Sequence, residues 1–97
     1  MTENRKPSVE IRRRLATNVK RMRRARGYTQ QRLAQLSKLT TSYIGNIEQK
    51  TVNVSLANLE ALASGLGCLE AQLLMPLEEP GGDPEDFFNA LQAALTR

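Results

Sequence analysis

Two helix-length apolar segments, residues 29–36 and 40–49, are separated in this chain by only three residues, Ser37–Leu39. A turn of this length brings two helices together at a steep angle. A small side chain is then needed where they cross, and Ala34 is placed to supply it. Two short helices cannot bury their apolar faces against each other alone, so we expect further helices to complete a core around this pair.

The other apolar residues also recur at helical spacing, and no stretch alternates long enough to indicate a β-strand. These patterns predict three more helices, over residues 8–26, 56–66 and 69–74. Side chains suited to capping a helix N-terminus precede four of the helices, at Ser8, Thr29, Thr40 and Ser55. Gly27 and Gly67 follow two helix ends, where glycine is favoured. Apolar positions expected to face the core include Ile11, Leu15, Val19, Met22 and Leu56. The expected fold class is all-α, a compact five-helix domain.

Composition divides the chain into four parts. They are a basic N-terminal arm (1–10), the helical domain (11–75), a linker rich in proline and glycine (76–84) and a short amphipathic C-terminal helix (85–97). The last segment carries Phe87, Phe88, Leu91 and Leu95 on one face. Three roles are open for that face: a two-fold contact with a second copy, docking on its own domain, or binding of another protein through residues 84–97.

Composition also excludes several classes of function. The chain has no histidine and a single cysteine, Cys68, so Ser-His and Cys-His pairs are absent and a zinc site is not expected. We expect no cofactor, no metal and no enzymatic activity. No apolar run approaches the roughly 18 residues that span a bilayer, and the N-terminus lacks the apolar core of a signal peptide. We therefore expect a cytoplasmic protein without a membrane partner.

Charge is distributed unevenly along the chain. Residues 1–50 hold 13 Lys or Arg and three acids, a net charge of +10, whereas residues 51–97 have a net charge of −6. A strongly basic half suggests a polyanionic partner, and a merely solvated basic helix surface is the alternative.

The two central helices and their turn have the pattern of a helix-turn-helix unit, although on spacing alone any small bundle with a sharp turn fits too. The residues YTQQRLAQLSKLTTSYIGNIEQK, followed by VSLANLEALASGLG, resemble the DNA-binding domain of the phage repressor/Cro (Xre-like) helix-turn-helix family. The resemblance covers about residues 15–75. It implies a five-helix domain that binds double-stranded DNA as a homodimer, in a bacterial or phage-encoded protein, with residues 41–49 as the recognition helix.

The resemblance also implies roles for individual residues. Positions that reach base edges in the family match Thr41, Ser42 and Asn46. Expected DNA-backbone contacts, from the resemblance and from the charge pattern, are Gln30, Thr40, Tyr43, Asn53, Arg24, Lys38 and Lys50. Arg23 and Glu48 match a structural ion pair. The expected dimer interface combines Leu69 with Phe87, Leu91 and Leu95.

The residue types suit these roles. Asn46 can donate and accept at once, as pairing with adenine requires, whereas Thr41 and Ser42 discriminate weakly between bases. The expected base-reading face carries no arginine, so we expect readout through Asn46, short polar side chains, water and DNA shape.

Four residues depart from the family pattern, one of them Val54, which replaces a frequent proline. Lys38 stands in the turn where glycine is usual, so it should adopt a positive φ at some energetic cost. Gly45 lies inside the recognition helix, where it weakens the helix and leaves no side chain for direct readout. Leu69 replaces a polar cap, so an apolar surface is expected to begin there.

Together these features predict a sequence-specific transcriptional regulator, of repressor or controller type. Two recognition helices would enter successive major grooves of a near-palindromic operator, about 34–36 Å apart. The alternatives are the DNA-binding antitoxin of a toxin–antitoxin pair and a protein-interaction module on the same fold.

Overall fold

The computed structural model describes residues 7–77, and all regular secondary structure in this range is α-helix, as the sequence predicts. Its elements are α1 (Pro7–Ala25), α2 (Gln30–Ser37), α3 (Thr41–Glu48), α4 (Leu56–Leu66) and α5 (Glu70–Leu73). The expected C-terminal helix, with Phe87, Leu91 and Leu95, lies outside the described residues, as does most of the basic arm.

The helix ends follow the capping residues of the sequence, with one exception. Thr29, Thr40 and Ser55 accept hydrogen bonds from backbone N–H groups three residues later, at 2.9, 3.0 and 3.1 Å. These three cap predictions are confirmed. The prediction that Ser8 caps α1 is wrong, because Pro7 already belongs to that helix. Proline suits a first helical turn, since its fixed φ is helical and the missing N–H would have no partner there.

The core draws on every helix. Its fully buried side chains are Val19, Leu33, Ile44, Leu62, Leu66 and Leu73. Helix α2 packs against α3 and α4, while α1 packs against α3 and α5. The helix-turn-helix pair α2–α3 is therefore supported by the other three helices, as the sequence analysis requires.

Two apolar residues expected in the core are exposed instead. Ile11 is 38% exposed and Leu56 is 84% exposed. Helix α1 has 19 residues, about 28 Å at 1.5 Å per residue, whereas α2, α3 and α4 have 8, 8 and 11, and Val9 near the start of α1 is also 60% exposed. Leu56 is the first residue of α4 and points away from the core. Periodicity identified the helical face in both cases but not how far the neighbouring helices reach.

A close contact between α2 and α4 fixes the position of α2. A methyl group at Gly65 would lie 3.1 Å from both Cβ and the backbone N of Ser37, so only glycine fits without a shift. Ser37 is buried, and its hydroxyl donates to the Leu33 carbonyl at 2.7 Å. This packing holds the helix that carries the turn into α3.

A buried asparagine joins α1 to the chain after α5. The side-chain amide of Asn18 donates to the carbonyls of Leu73 and Met75, at 3.1 and 3.0 Å. Because Asn18 is only 2% exposed, these bonds satisfy polar groups that water cannot reach. They anchor the end of the described domain to its longest helix.

Candidate nucleic-acid interface

The turn between α2 and α3 is built around Lys38, which adopts the left-handed conformation with φ 61° and ψ 36°. The positive φ predicted from the sequence is confirmed. The N–H of Leu39 donates to the Ala34 carbonyl at 2.9 Å, which closes the end of α2. Leu39 then packs against the core, so the direction in which α3 leaves the turn is fixed. A residue with a Cβ adopts this conformation at a cost of about 1 kcal/mol.

A second left-handed lysine follows α3. Lys50 has φ 66°, and the next residue, Thr51, donates from both its N–H and its hydroxyl to the Asn46 carbonyl, at 3.1 and 3.0 Å. Sequence reasoning missed this conformation because neither glycine nor asparagine marks it. Two exposed lysines in strained backbone conformations therefore bracket α3.

The outer face of α3 is polar and exposed. Thr41, Ser42 and Asn46 lie on it, opposite the buried Ile44 and Ile47. Within residues 7–77, no hydrogen bond occupies the side chains of these three polar residues. They are free to meet a ligand laid along the helix.

Gln49 extends this face and was missed by the sequence analysis. It directly follows α3, is exposed, and stands three residues after Asn46 and seven after Ser42. Residues at these intervals share one face of a helix, so its spacing was the signal available in the sequence. Glutamine, like asparagine, can pair with adenine through a donor and an acceptor.

A buried polar network lies behind α3. The Arg23 guanidinium donates to both carboxylate oxygens of Glu48, at 2.7 and 3.1 Å, and also to the Tyr28 carbonyl at 2.8 Å. Gln30 donates to the same carboxylate at 3.0 Å. The network therefore connects α1, α2 and α3, and holds α3 against the other two helices.

The Glu48 carboxylate is kept charged in this buried position. Burial by itself raises the pKa of Glu48, but hydrogen bonds from Arg23 and Gln30 outweigh it, together with the charges of Arg23 and Lys20. The net effect lowers the pKa below its usual value.

The two remaining features of the face concern Gly45 and Tyr43. A methyl group at Gly45 would lie 3.8 Å from Oε1 of Gln30, an ordinary contact, so the surrounding structure does not require glycine.

Tyr43 is half-buried against the core, and its hydroxyl accepts a hydrogen bond from Nδ2 of Asn58 on α4, at 3.1 Å. Asn58 was not identified from the sequence.

The comparisons with known proteins agree with this geometry. Residues 19–73 match the family model HTH_3, described as helix-turn-helix. The chain belongs to this family. A protein of Neisseria meningitidis serogroup B named as a hypothetical transcription factor is 37% identical over 65 residues, which cover 67% of this chain and 61% of that protein. The control protein C.SmaI of Serratia marcescens is 38% identical over 66 residues, 68% of this chain and 79% of its own.

Two solved structures show the same helix-turn-helix fold. The restriction-modification controller protein C.AhdI from Aeromonas hydrophila superposes with a TM-score of 0.62 at 35% identity, covering 64% of this chain and 94% of that one. The transcription factor NHTF from Neisseria superposes with a TM-score of 0.70 at 28% identity, covering 93% and 95%. The family consists of DNA-binding transcription regulators and is not enzymatic.

Within this helix-turn-helix domain, most of the predicted contact residues fall around α3. Exposed groups on or beside α3 are Thr40, Thr41, Ser42, Asn46 and Lys50, with Lys38 in the turn before it. Asn53 is exposed in the loop that follows, and Arg24 is exposed on α1. Leu69 lies elsewhere, at a groove beside α4 and α5. The domain thus presents two separate surfaces.

Neither a metal nor a membrane is indicated by the part of the chain described. Residues 7–77 contain no cluster of three or more potential metal-ligating His, Cys, Asp or Glu side chains. No helix in this range combines the length and the apolar character needed to cross a bilayer. Cys68 is half-buried beside the core, and this burial raises the pKa of its thiol.

Proposed function

We propose that this protein is a sequence-specific transcriptional regulator that places α3 in the major groove of double-stranded DNA. The observation that carries the proposal is the outer face of α3. Its polar side chains are exposed and without partners in the described domain, while a buried ion-pair network holds the helix from behind. A rigid helix with free polar groups suits base recognition, because a helix that is already held in place needs little further ordering on binding.

The residues on this face divide into base-reading and backbone-contacting groups. Asn46 is proposed to pair with an adenine, while Thr41 and Ser42 contact bases directly or through water. Gln30, Thr40, Tyr43, Asn53, Arg24, Lys38 and Lys50 are the proposed phosphate contacts. Phosphate contacts set the position of the protein on DNA, so sequence choice rests mainly with Asn46 and its neighbours.

The strained lysines support a functional surface around α3. Glycine at position 38 or 50 would relieve about 1 kcal/mol each, since it adopts positive φ without a Cβ penalty. Strain of this kind clusters at functional sites. A lysine at either end of the recognition helix would add positive charge where the DNA backbone passes.

The experiment uses fluorescence anisotropy, at two salt concentrations, to measure binding of the purified protein to DNA upstream of its own gene. An equal-length random duplex serves as the control. Preference for the upstream fragment, with steep salt dependence, supports the proposal. Absence of binding to either duplex at low salt would overturn it in favour of a protein-interaction module.

Variants separate the two kinds of contact. Asn46→Ala should cost about 1–3 kcal/mol on the upstream DNA and little on random DNA. Lys50→Gly should weaken both about equally and reduce the salt slope by about 0.9, without loss of stability, because the substitution removes backbone strain. Ser64→Ala, which alters an exposed serine on α4, is the matched control for Ser42→Ala. Equal losses for the two serine variants would contradict a role of α3 in recognition.

The protein is further proposed to act as a homodimer. Leu69 is 52% exposed and Leu56 is 84% exposed, and grooves between them are lined by Ala57, Glu60 and Glu70. Leu69 precedes α5 and has no polar side chain to cap it, while its own backbone N–H donates to Oε1 of Gln72 at 2.8 Å. An apolar residue at this exposed cap position is consistent with burial against a second copy.

The C-terminal segment 85–97 is proposed to extend this interface through Phe87, Leu91 and Leu95. The test is sedimentation equilibrium of the full chain, of Leu69→Gln and of a chain ending at Pro80. Both changes should raise the dimer dissociation constant if the two parts form one interface. An unchanged value for the shortened chain would remove residues 81–97 from dimerisation and favour another protein as their partner.

The similar proteins favour a local controller. C.SmaI is a control protein and C.AhdI a restriction-modification controller protein, and each matches this chain at 35% identity or more. We therefore propose that the operator lies near the gene for this chain. Footprinting of the upstream fragment should show two protected half-sites about one helical turn apart.

A further inference from the structure

The hydrogen bond between α3 and α4 involves a residue outside the proposed contact set. Nδ2 of Asn58 donates to the Tyr43 hydroxyl at 3.1 Å, and both residues are half-buried. Asn58 is itself held in place, because its backbone N–H donates to Oγ of the capping Ser55 at 3.1 Å. Its side chain therefore reaches α3 from a fixed helix end.

This arrangement determines what the Tyr43 hydroxyl can do. A phenol oxygen can accept a hydrogen bond and also donate one. Because the Asn58 amide acts as the donor, the proton of Tyr43 is left for another acceptor. Within residues 7–77 no acceptor takes that proton.

We propose that Asn58 is a positioning residue, which holds the Tyr43 hydroxyl so that its proton donates to a phosphate oxygen of duplex DNA. The inference rests on the proposed DNA-binding function and adds a residue on α4 that acts without touching DNA. Phosphate oxygens accept hydrogen bonds but do not donate them, so they match the one free proton of this pair. Holding the ring and hydroxyl before binding reduces the ordering that DNA must impose.

The chemistry of position 58 gives a sharp test. In Asn58→Asp the new carboxylate can only accept, so it takes the Tyr43 proton and removes it from the DNA. At the same time, an acid in the first turn of α4 is favourable to the helix dipole, so the variant should keep or raise the melting temperature. Weaker DNA binding with unreduced stability is a result that a purely structural role of Asn58 does not predict.

The experiment measures operator affinity for the full chain and for the single variants Tyr43→Phe, Asn58→Ala and Asn58→Asp. The double variant Tyr43→Phe/Asn58→Ala completes a cycle. We expect Tyr43→Phe to weaken binding about tenfold, as loss of a hydrogen bond to a charged group implies. Asn58→Ala should weaken it about two- to fivefold in the wild-type background, and should change nothing further in the Tyr43→Phe background.

Three outcomes overturn the inference while leaving DNA binding intact. These are an unchanged operator affinity in Tyr43→Phe, an equal effect of Asn58→Ala with and without the Tyr43 hydroxyl, and full affinity in Asn58→Asp. Loss of affinity in proportion to a lowered melting temperature would likewise assign Asn58 to folding alone. By contrast, a wild-type chain that binds no DNA refutes the proposed function itself, and with it this inference.

Discussion

The substitution Glu48→Ala should lower the free energy of unfolding by about 3–5 kcal/mol, the cost of removing one partner from a buried ion pair. The Glu48 side chain is 2% exposed and accepts three hydrogen bonds, two from Arg23 and one from Gln30. Without it, the Arg23 guanidinium, 11% exposed, keeps the Tyr28 carbonyl as its acceptor. A charge would then be buried with little compensation.

This loss is a large part of the total stability. Domains of this size are stable by about 5–15 kcal/mol, and each kcal/mol shifts the melting temperature by about 4–8 °C. The double variant Arg23→Met/Glu48→Leu is the control, because it removes both charges and retains apolar volume. It should lose less than Glu48→Ala, about 1–2 kcal/mol, since the Tyr28 carbonyl loses its donor and the Gln30 amide loses its acceptor, but no charge stays buried without a partner.

The contribution of Glu48 to the free energy of unfolding should also depend on pH, in a direction set by the pKa of its carboxyl group. Because the pKa of Glu48 is lowered in the folded state, its contribution to stability is present above the unfolded pKa, about 4.3. The contribution is lost as the pH falls through the lower, folded pKa. The stability difference between wild type and Glu48→Ala should therefore be largest near pH 7 and shrink on acidification.

Urea unfolding followed by the circular dichroism of the helices measures these quantities for the wild type and both variants. A stabilising role of this ion pair is refuted if Glu48→Ala lowers the free energy of unfolding by less than about 1 kcal/mol, or if the double variant is as unstable as Glu48→Ala. A difference that grows on acidification would show that Glu48 has a raised pKa, the reverse of the direction argued here.

Three further predictions use the same unfolding measurement. Lys38→Gly should raise the free energy of unfolding by about 1 kcal/mol, because glycine adopts a positive φ without strain, and it should also weaken DNA binding. A lower free energy of unfolding in this variant would contradict the presence of strain at Lys38. Gly45→Ala should stabilise by about 0.5–1 kcal/mol, whereas Gly65→Ala should destabilise, because its methyl group lies 3.1 Å from Ser37. If both glycine substitutions changed the free energy of unfolding in the same direction, the tight packing of Gly65 against Ser37 would be refuted. Asn18→Ala should lower the free energy of unfolding by about 1–3 kcal/mol, because the carbonyls of Leu73 and Met75 lose their donor. An unchanged free energy of unfolding would show that water replaces the Asn18 amide as the donor.

The sequence was most informative where the cause is local. Thr29, Thr40 and Ser55 cap their helices as predicted, because a capping side chain bonds to the backbone only three residues away. The positive φ of Lys38 was also predictable, since the resemblance places this lysine at a turn position where the family usually has glycine. Resemblance to a known family supplied the expectation that α3 is a recognition helix, which propensity and periodicity alone did not assign.

Other features were decided by packing between distant segments. Periodicity placed Ile11 and Leu56 on apolar faces, but their exposure depends on where the neighbouring helices end. The left-handed conformation of Lys50 follows from the contacts that end α3 rather than from its residue type. The bond from Asn58 to Tyr43 joins residues 15 positions apart, and no local pattern marks it.

By itself, the sequence therefore determined the all-α class, most of the helix ends and the basic character of the first half. Those properties depend on capping, spacing and charge, which act over a few residues or need no geometry at all. Only the tertiary structure decided which polar residues of α3 stay free, and that Gln30 and the Tyr28 carbonyl join the Arg23–Glu48 pair implied by the resemblance. Such relations require Arg23, Gln30 and Glu48, from three different helices, to meet within hydrogen-bonding distance, which only the packed fold brings about.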